Sequence, residues 1–207
     1  MGYLLLRFAH LIGLALISAG LIGVFVTDLR SRQLRDLPLF AEAVRNIAVF
    51  YDGLVVPGAL FLLASGILMI TDLYGWAFVE IPWLAGMVGL FTFEFIEGNT
   101  ITRLYFLRLR RLAREAIDKG FVTPELEQAR REHVPTFTHF LDLPILFVIV
   151  ALGAMRPETW SAIAISIGIA VLVATGFSVV LPKLYPWQPS MAGGKTIVAE
   201  VPPLREA

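Results

Sequence analysis

In the run GLFTFEFIEGN, Glu94 and Glu97 close an apolar stretch with two acids three residues apart. In FTHFLDLP, His139 and Asp142 open another at the same spacing. On a helix each pair projects from one face. Asp52 lies at the same expected depth near the start of a third stretch. Carboxylates and an imidazole brought together from separate helices resemble the way carboxylate metal sites are built in bundles, although no Glu-x-x-His pattern is present. This donor set suits a divalent zinc, manganese or iron ion and disfavours copper(I), which prefers sulfur. Four carboxylates crowded together cannot all stay ionised without a cation, so a metal, a proton or neighbouring arginines must accompany them. Arg45, seven residues before Asp52, and Arg103, within two turns of Glu97, are the arginines placed to do so, and His133 is a further imidazole. A structural charge network therefore competes with a metal site, and a proton relay through His139 and Asp142 is a third option.

Arg7 and His10 form a separate pair in the first apolar stretch. A single imidazole on a membrane helix either bonds a nearby hydroxyl or backbone group or serves as one axial ligand of a haem. Depth disfavours pairing His10 with His139 on one haem, since the two fall on opposite sides of the bilayer.

The elements that position these groups follow from composition. The 207 residues are 57% hydrophobic and 16% charged, too apolar for a soluble domain of this length to cover, so an all-α, polytopic membrane helix bundle is expected. Five stretches reach the roughly 20 residues that a spanning helix needs: about 3–27, 47–71, 78–96, 137–155 and 159–181. The first does not read as a cleaved leader, because its apolar run is too long and Arg7 lies inside it. The absence of cysteine excludes disulfides and thiolate chemistry, and zero formal net charge leaves no electrostatic footprint for nucleic acid.

Basic residues alternate between connections. Arg30, Arg32, Arg35 and Arg45 fall in the first, none between 72 and 77, eight between 97 and 136, Arg156 alone in the fourth, and Lys183, Lys195 and Arg205 at the end. The positive-inside rule then places the N-terminus outside and the C-terminus inside. The connection at about 98–135 reads as helical and amphipathic, stopped at Gly120 and restarted by Thr123, Pro124 and Glu125. Its basic face is suited to anionic lipid at the inner leaflet. Residues 1–185 thus form the bundle, and 186–207, rich in proline and glycine, a flexible cytoplasmic tail. Small residues at spacings of four, Ala162, Ser166, Ala170, Ala174 and Ser178 in the fifth span with Ala15, Ala19 and Gly23 in the first, suit close helix packing within the bundle or in an oligomer.

YLLLRFAHLIGLALISAGLIGVF resembles the opening helix of the HemJ/CopD-like group of bacterial membrane proteins, with a basic residue three before a histidine and then a small-residue-rich helix. VVPGALFLLASGILMI resembles that group's second helix, and within the group the chain is most similar to the integral membrane family DUF2269. The resemblance covers roughly residues 3–115. It implies a multi-pass protein of the bacterial inner membrane. By analogy with HemJ, a protoporphyrinogen-oxidising protein, it also implies haem b on His10 with Arg7 beside it. The third span here offers glutamates and has no lysine, where HemJ carries one.

Overall fold

Pro57 sets the shape of the second long helix. Having no N–H to donate and a ring that crowds the carbonyl four residues back, it cannot complete the regular ladder. The chain responds with a π turn over Tyr51–Val55, in which Val56 N–H bonds the Tyr51 carbonyl. This turn joins α2 (Leu37–Phe50) to α3 (Val56–Leu73) in one continuous helix. A second π turn, Gly98–Thr102, joins α4 (Pro82–Glu97) to α5 (Arg103–Lys119). There Asn99 and Thr100 donate from their side chains to the carbonyls of Phe95 and Ile96, at 2.7 and 2.6 Å, loosening the ladder in the same way. The other helices are α1 (Gly2–Arg32), α6 (Pro124–Arg130), α7 (His133–Met155) and α8 (Trp160–Leu184). This computed structural model describes residues 2–188, and no strand occurs among them.

Four helices, Gly2–Arg32, Leu37–Leu73, His133–Met155 and Trp160–Leu184, are long and apolar enough to cross a membrane. The remaining expected span is α4. It starts at Pro82 rather than near residue 78, because residues 75–80 form a 3-10 turn, and Glu94 and Glu97 lower its apolar character. Phe8, Leu11, Ile165 and Leu172 lie open on the outer faces, as helices surrounded by hydrocarbon require.

In the centre of the bundle α1 packs along α3 and touches α7, and α7 packs on α8 and α4. The α1–α3 crossing is set by glycines at which a Cβ would stand 2.6–2.9 Å from the partner backbone: Gly13, Gly20 and Gly58. The first-span stripe expected from sequence is therefore misplaced, since Ala15 and Ala19 are exposed and only Gly23 faces a partner, Phe50. The ladder of the last span does pack: Ala170 and Ala174 are buried in the core shared by α4, α7 and α8.

The connection between α4 and α7 is helical as expected. Gly120 ends α5 with a left-handed φ of 75°, and Thr123 caps α6 by accepting from Leu126 N–H at 3.3 Å. The apolar face of α5 (Tyr105, Phe106, Leu109, Leu112, Ala113 and Ala116) is buried against α2 and α6. Arg130 is enclosed in this cap, 3.0 Å from Glu127 and with its guanidinium 4.0 Å from the Phe40 ring. Of the expected tail, Trp187 packs edge-on against Phe40, and Gln188 N–H donates to the Arg32 carbonyl at 2.8 Å. The rest, 189–207, lies outside the described residues.

Candidate functional site

Where α1 ends, α7 begins and the two π turns bend, a group of polar side chains gathers within largely apolar packing. Asp28, Ser31 and Arg32 come from α1, Tyr51 from the first π turn, Glu94 and Glu97 from α4, Thr102 from the second π turn, and His139 and Asp142 from α7. Asp28, Arg32, Glu97, His139 and Asp142 are each 5% exposed or less. Asp28 accepts from Arg32 Nε at 2.9 Å, one helical turn on. The Arg32 guanidinium also lies over the rings of Phe140 and Trp187, at 5.2 and 4.8 Å.

His139 stands between two acids, its Nε2 3.9 Å from Asp28 Oδ2 and its Nδ1 3.7 Å from Asp142 Oδ2. Neither nitrogen has a hydrogen-bond partner among the described residues. Phe25, Phe106 and Phe140 hold the ring in place, with centroids 5.2–6.3 Å away. Tyr51 Oη donates to Asp142 Oδ2 at 3.4 Å. Thr102 Oγ1 donates to Glu97 Oε1 at 2.7 Å, which leaves Glu97 Oε2 and Glu94 Oε1 buried and without partners among the described residues. Asp142, Glu97 and Glu94 are all close enough for their charges to act on Tyr51 and on one another. Above the site, in the cap, burial and then the Asp28 charge push the Tyr105 phenol above its ordinary value, so it stays protonated.

The four acids and one imidazole singled out from sequence thus divide. Glu94, Glu97, His139 and Asp142 meet. Asp52 does not: it pairs with Arg103 at 2.8 Å, both side chains more than a third exposed. The other arginine considered for this role, Arg45, binds Glu42 at 2.6 Å. His133 is exposed at the start of α7. Sequence reasoning missed Asp28, which belongs to the pocket. The available signal was its position four residues before Arg32, an ion-pair spacing on a helix. Three buried carboxylates and the half-buried Glu94 therefore share the pocket with one guanidinium, which bonds Asp28, and no lysine or arginine lies within ion-pair distance of Glu94, Glu97 or Asp142 among the described residues.

The pocket forms one end of a cavity of about 630 Å3, whose lining includes Tyr51, Glu94, Asn99 and Asp142 here and Tyr3, Arg7, His10, Trp83 and Arg156 towards the far end. His10 bonds Ser65 Oγ through Nδ1 at 2.9 Å, and the Ser65 hydroxyl donates to the Phe61 carbonyl. Because the serine proton is committed to that carbonyl, Nδ1–H must be the donor, which leaves the lone pair of Nε2. His10 lines the far end of the cavity, whereas Asp142, one helical turn from His139, lines the near end, as the depths of the two histidines in the sequence implied.

Among the described residues no three histidine, aspartate or glutamate side chains are already arranged around one point as metal ligands. Neither the curated proteins nor the solved structures contain a match to the chain. A family model described as a predicted integral membrane protein (DUF2269) matches residues 4–157, the stretch that contains the whole acid–imidazole pocket and all of the cavity lining but Tyr3, and the chain belongs to that family.

Proposed function

We propose that this membrane protein binds a divalent transition-metal ion (zinc, manganese or iron) in the buried pocket, through His139 and Asp142 with Glu97 and Glu94. The observation that carries the reading is an unpartnered donor set: Glu94 Oε1, Glu97 Oε2 and both His139 nitrogens are buried without a hydrogen-bond partner, and no lysine or arginine stands within ion-pair distance of Glu94, Glu97 or Asp142 among the described residues. Burying such groups is costly unless a counter-charge is supplied. Two ligands of one tetrahedral ion, each about 2.0–2.2 Å from it, lie roughly 3.4 Å apart. The 3.7 Å between His139 Nδ1 and Asp142 Oδ2 needs only a small contraction. Rotation of Glu97 and Glu94 would then supply the remaining oxygens. The arginine distribution supports placing this end of the bundle at the cytosolic side of the membrane, which the resemblance noted above makes a bacterial inner membrane. The basic face of α5 would then meet anionic headgroups only at its membrane-proximal end, because its apolar face is already buried.

Elemental analysis of protein purified without chelator tests the proposal. Near-stoichiometric metal is expected in the wild type and loss of it in Glu94→Gln/His139→Ala. A metal-free wild type, whose double variant loses only thermal stability, would assign the acids to a structural charge network instead.

A second reading, a haem b held by His10, is favoured by one observation: the Ser65 bond fixes the imidazole tautomer with a free nitrogen, as outer-shell partners of ligating histidines do. A haem there would supply one-electron redox chemistry. His10→Ala is then expected to abolish a Soret band in the purified protein, and a colourless wild type refutes this reading.

A further inference from the structure

The cavity has a feature that neither reading uses. α3 and α4 follow one another in the chain yet scarcely touch, meeting mainly through the 3-10 turn Gly75–Glu80. They form its two walls, α1 and α7 form its floor, and no other described helix bridges the gap. In a bilayer this gap faces acyl chains, not water. The lining runs along α1 from Tyr3 to Leu21, about 27 Å at 1.5 Å per residue, most of a hydrocarbon core. Its walls are predominantly leucine, isoleucine, valine, methionine and phenylalanine.

At the end remote from the acids the lining includes two arginines. Arg7 and Arg156 form no ion pair among the described residues. Arg156 is the one non-glycine residue with positive φ among the described residues, at 49°, a conformation unfavourable for a residue that carries a side chain. It terminates α7 with its guanidinium 5.1 Å from the Trp83 ring, at the cavity wall. Two cations without acids, at the mouth of a long apolar slot open to lipid, complement a molecule with one anionic head and one extended tail.

We propose that the cavity admits a single-chain anionic amphipath, a long-chain carboxylate, through the gap between α3 and α4, with its head on Arg7 and Arg156 and its tail along α1. This site is independent of the metal pocket and excludes a haem in the same space. The test uses full-length protein in detergent and dibrominated stearate, whose bromines quench tryptophan on contact; Trp83 reports from the wall. Saturable quenching is expected for the acid, and only linear, partition-like quenching for its methyl ester. Arg7→Gln/Arg156→Gln is expected to weaken the acid at least about ten-fold, because charge-assisted bonds are lost. Arg7→Lys/Arg156→Lys is expected to recover part of it, which separates loss of charge from loss of fold. Trp83→Phe is expected to lose the saturable component. Equal behaviour of acid and ester, wild-type affinity in the glutamine variant, or a stoichiometric Soret band with no saturable quenching would each overturn the proposal. Metal content, measured on the same samples, reports on the other site alone.

Discussion

Arg32→Ala is expected to destabilise the protein by about 3–5 kcal/mol, the cost of breaking a buried ion pair from one side. Arg32 is 3% exposed and bonds Asp28, which is 1% exposed, so the truncation strands a carboxylate that water cannot reach. The loss extends beyond the pair. The same guanidinium lies over Phe140 and Trp187 and so ties the start of α7 and the segment after α8 to the end of α1. Thermal or denaturant unfolding in detergent reads the change. The double variant Asp28→Asn/Arg32→Met, which removes both charges and keeps the volume, is expected to recover most of the loss. If Arg32→Ala unfolds like the wild type, the pair is not enclosed as described.

Gly58→Leu is expected to be comparably severe, at about 3 kcal/mol or more, because the site has no room even for a Cβ. A Cβ at Gly58 would stand 2.6 Å from the Ile17 nitrogen and 2.9 Å from the Gly13 carbonyl oxygen, both backbone atoms that cannot rotate away. α1 would have to move off α3, carrying Asp28 and Arg32 out of register with α7. Gly89 provides the control, since nothing lies within 4 Å of a Cβ built there. Gly89→Ala on α4 is expected to be neutral or to stabilise by about 0.5–1 kcal/mol, as helix propensity dictates. Equal tolerance of both substitutions would contradict the close crossing.

What the sequence made legible was mostly local. Gly120 and Thr123 mark helix ends because φ and capping depend on neighbours in the chain, and both act as expected. The i,i+3 pairs Glu94/Glu97 and His139/Asp142 faced a common pocket because α4 and α7 are regular where those residues sit. Asp52 was misplaced because it was grouped with the other acids by depth alone, which does not fix the face it occupies. One extra residue in a π turn changes the facing by roughly 100°. Tyr51 turns inward to Asp142, and Asp52 turns out to Arg103. Periodicity cannot show this, although Pro57 marks the place where the ladder must fail. Asp28 was overlooked for a different reason. It is the first residue of the stretch read as a connection, but α1 continues to Arg32 and carries it into the pocket. The crossing glycines needed three-dimensional contacts: Gly13, Gly20 and Gly58 do not stand out in sequence from Ala15 and Ala19, and only the partner backbone distinguishes them.

The most direct measurement is anomalous diffraction from wild-type crystals grown with manganese. A bound ion predicts one strong peak at the acid–imidazole pocket, about 2.0–2.3 Å from His139 and from oxygens of Asp142 and Glu97. A fully ordered pocket without such a peak, its acids bonded only to protein groups, would contradict the proposal.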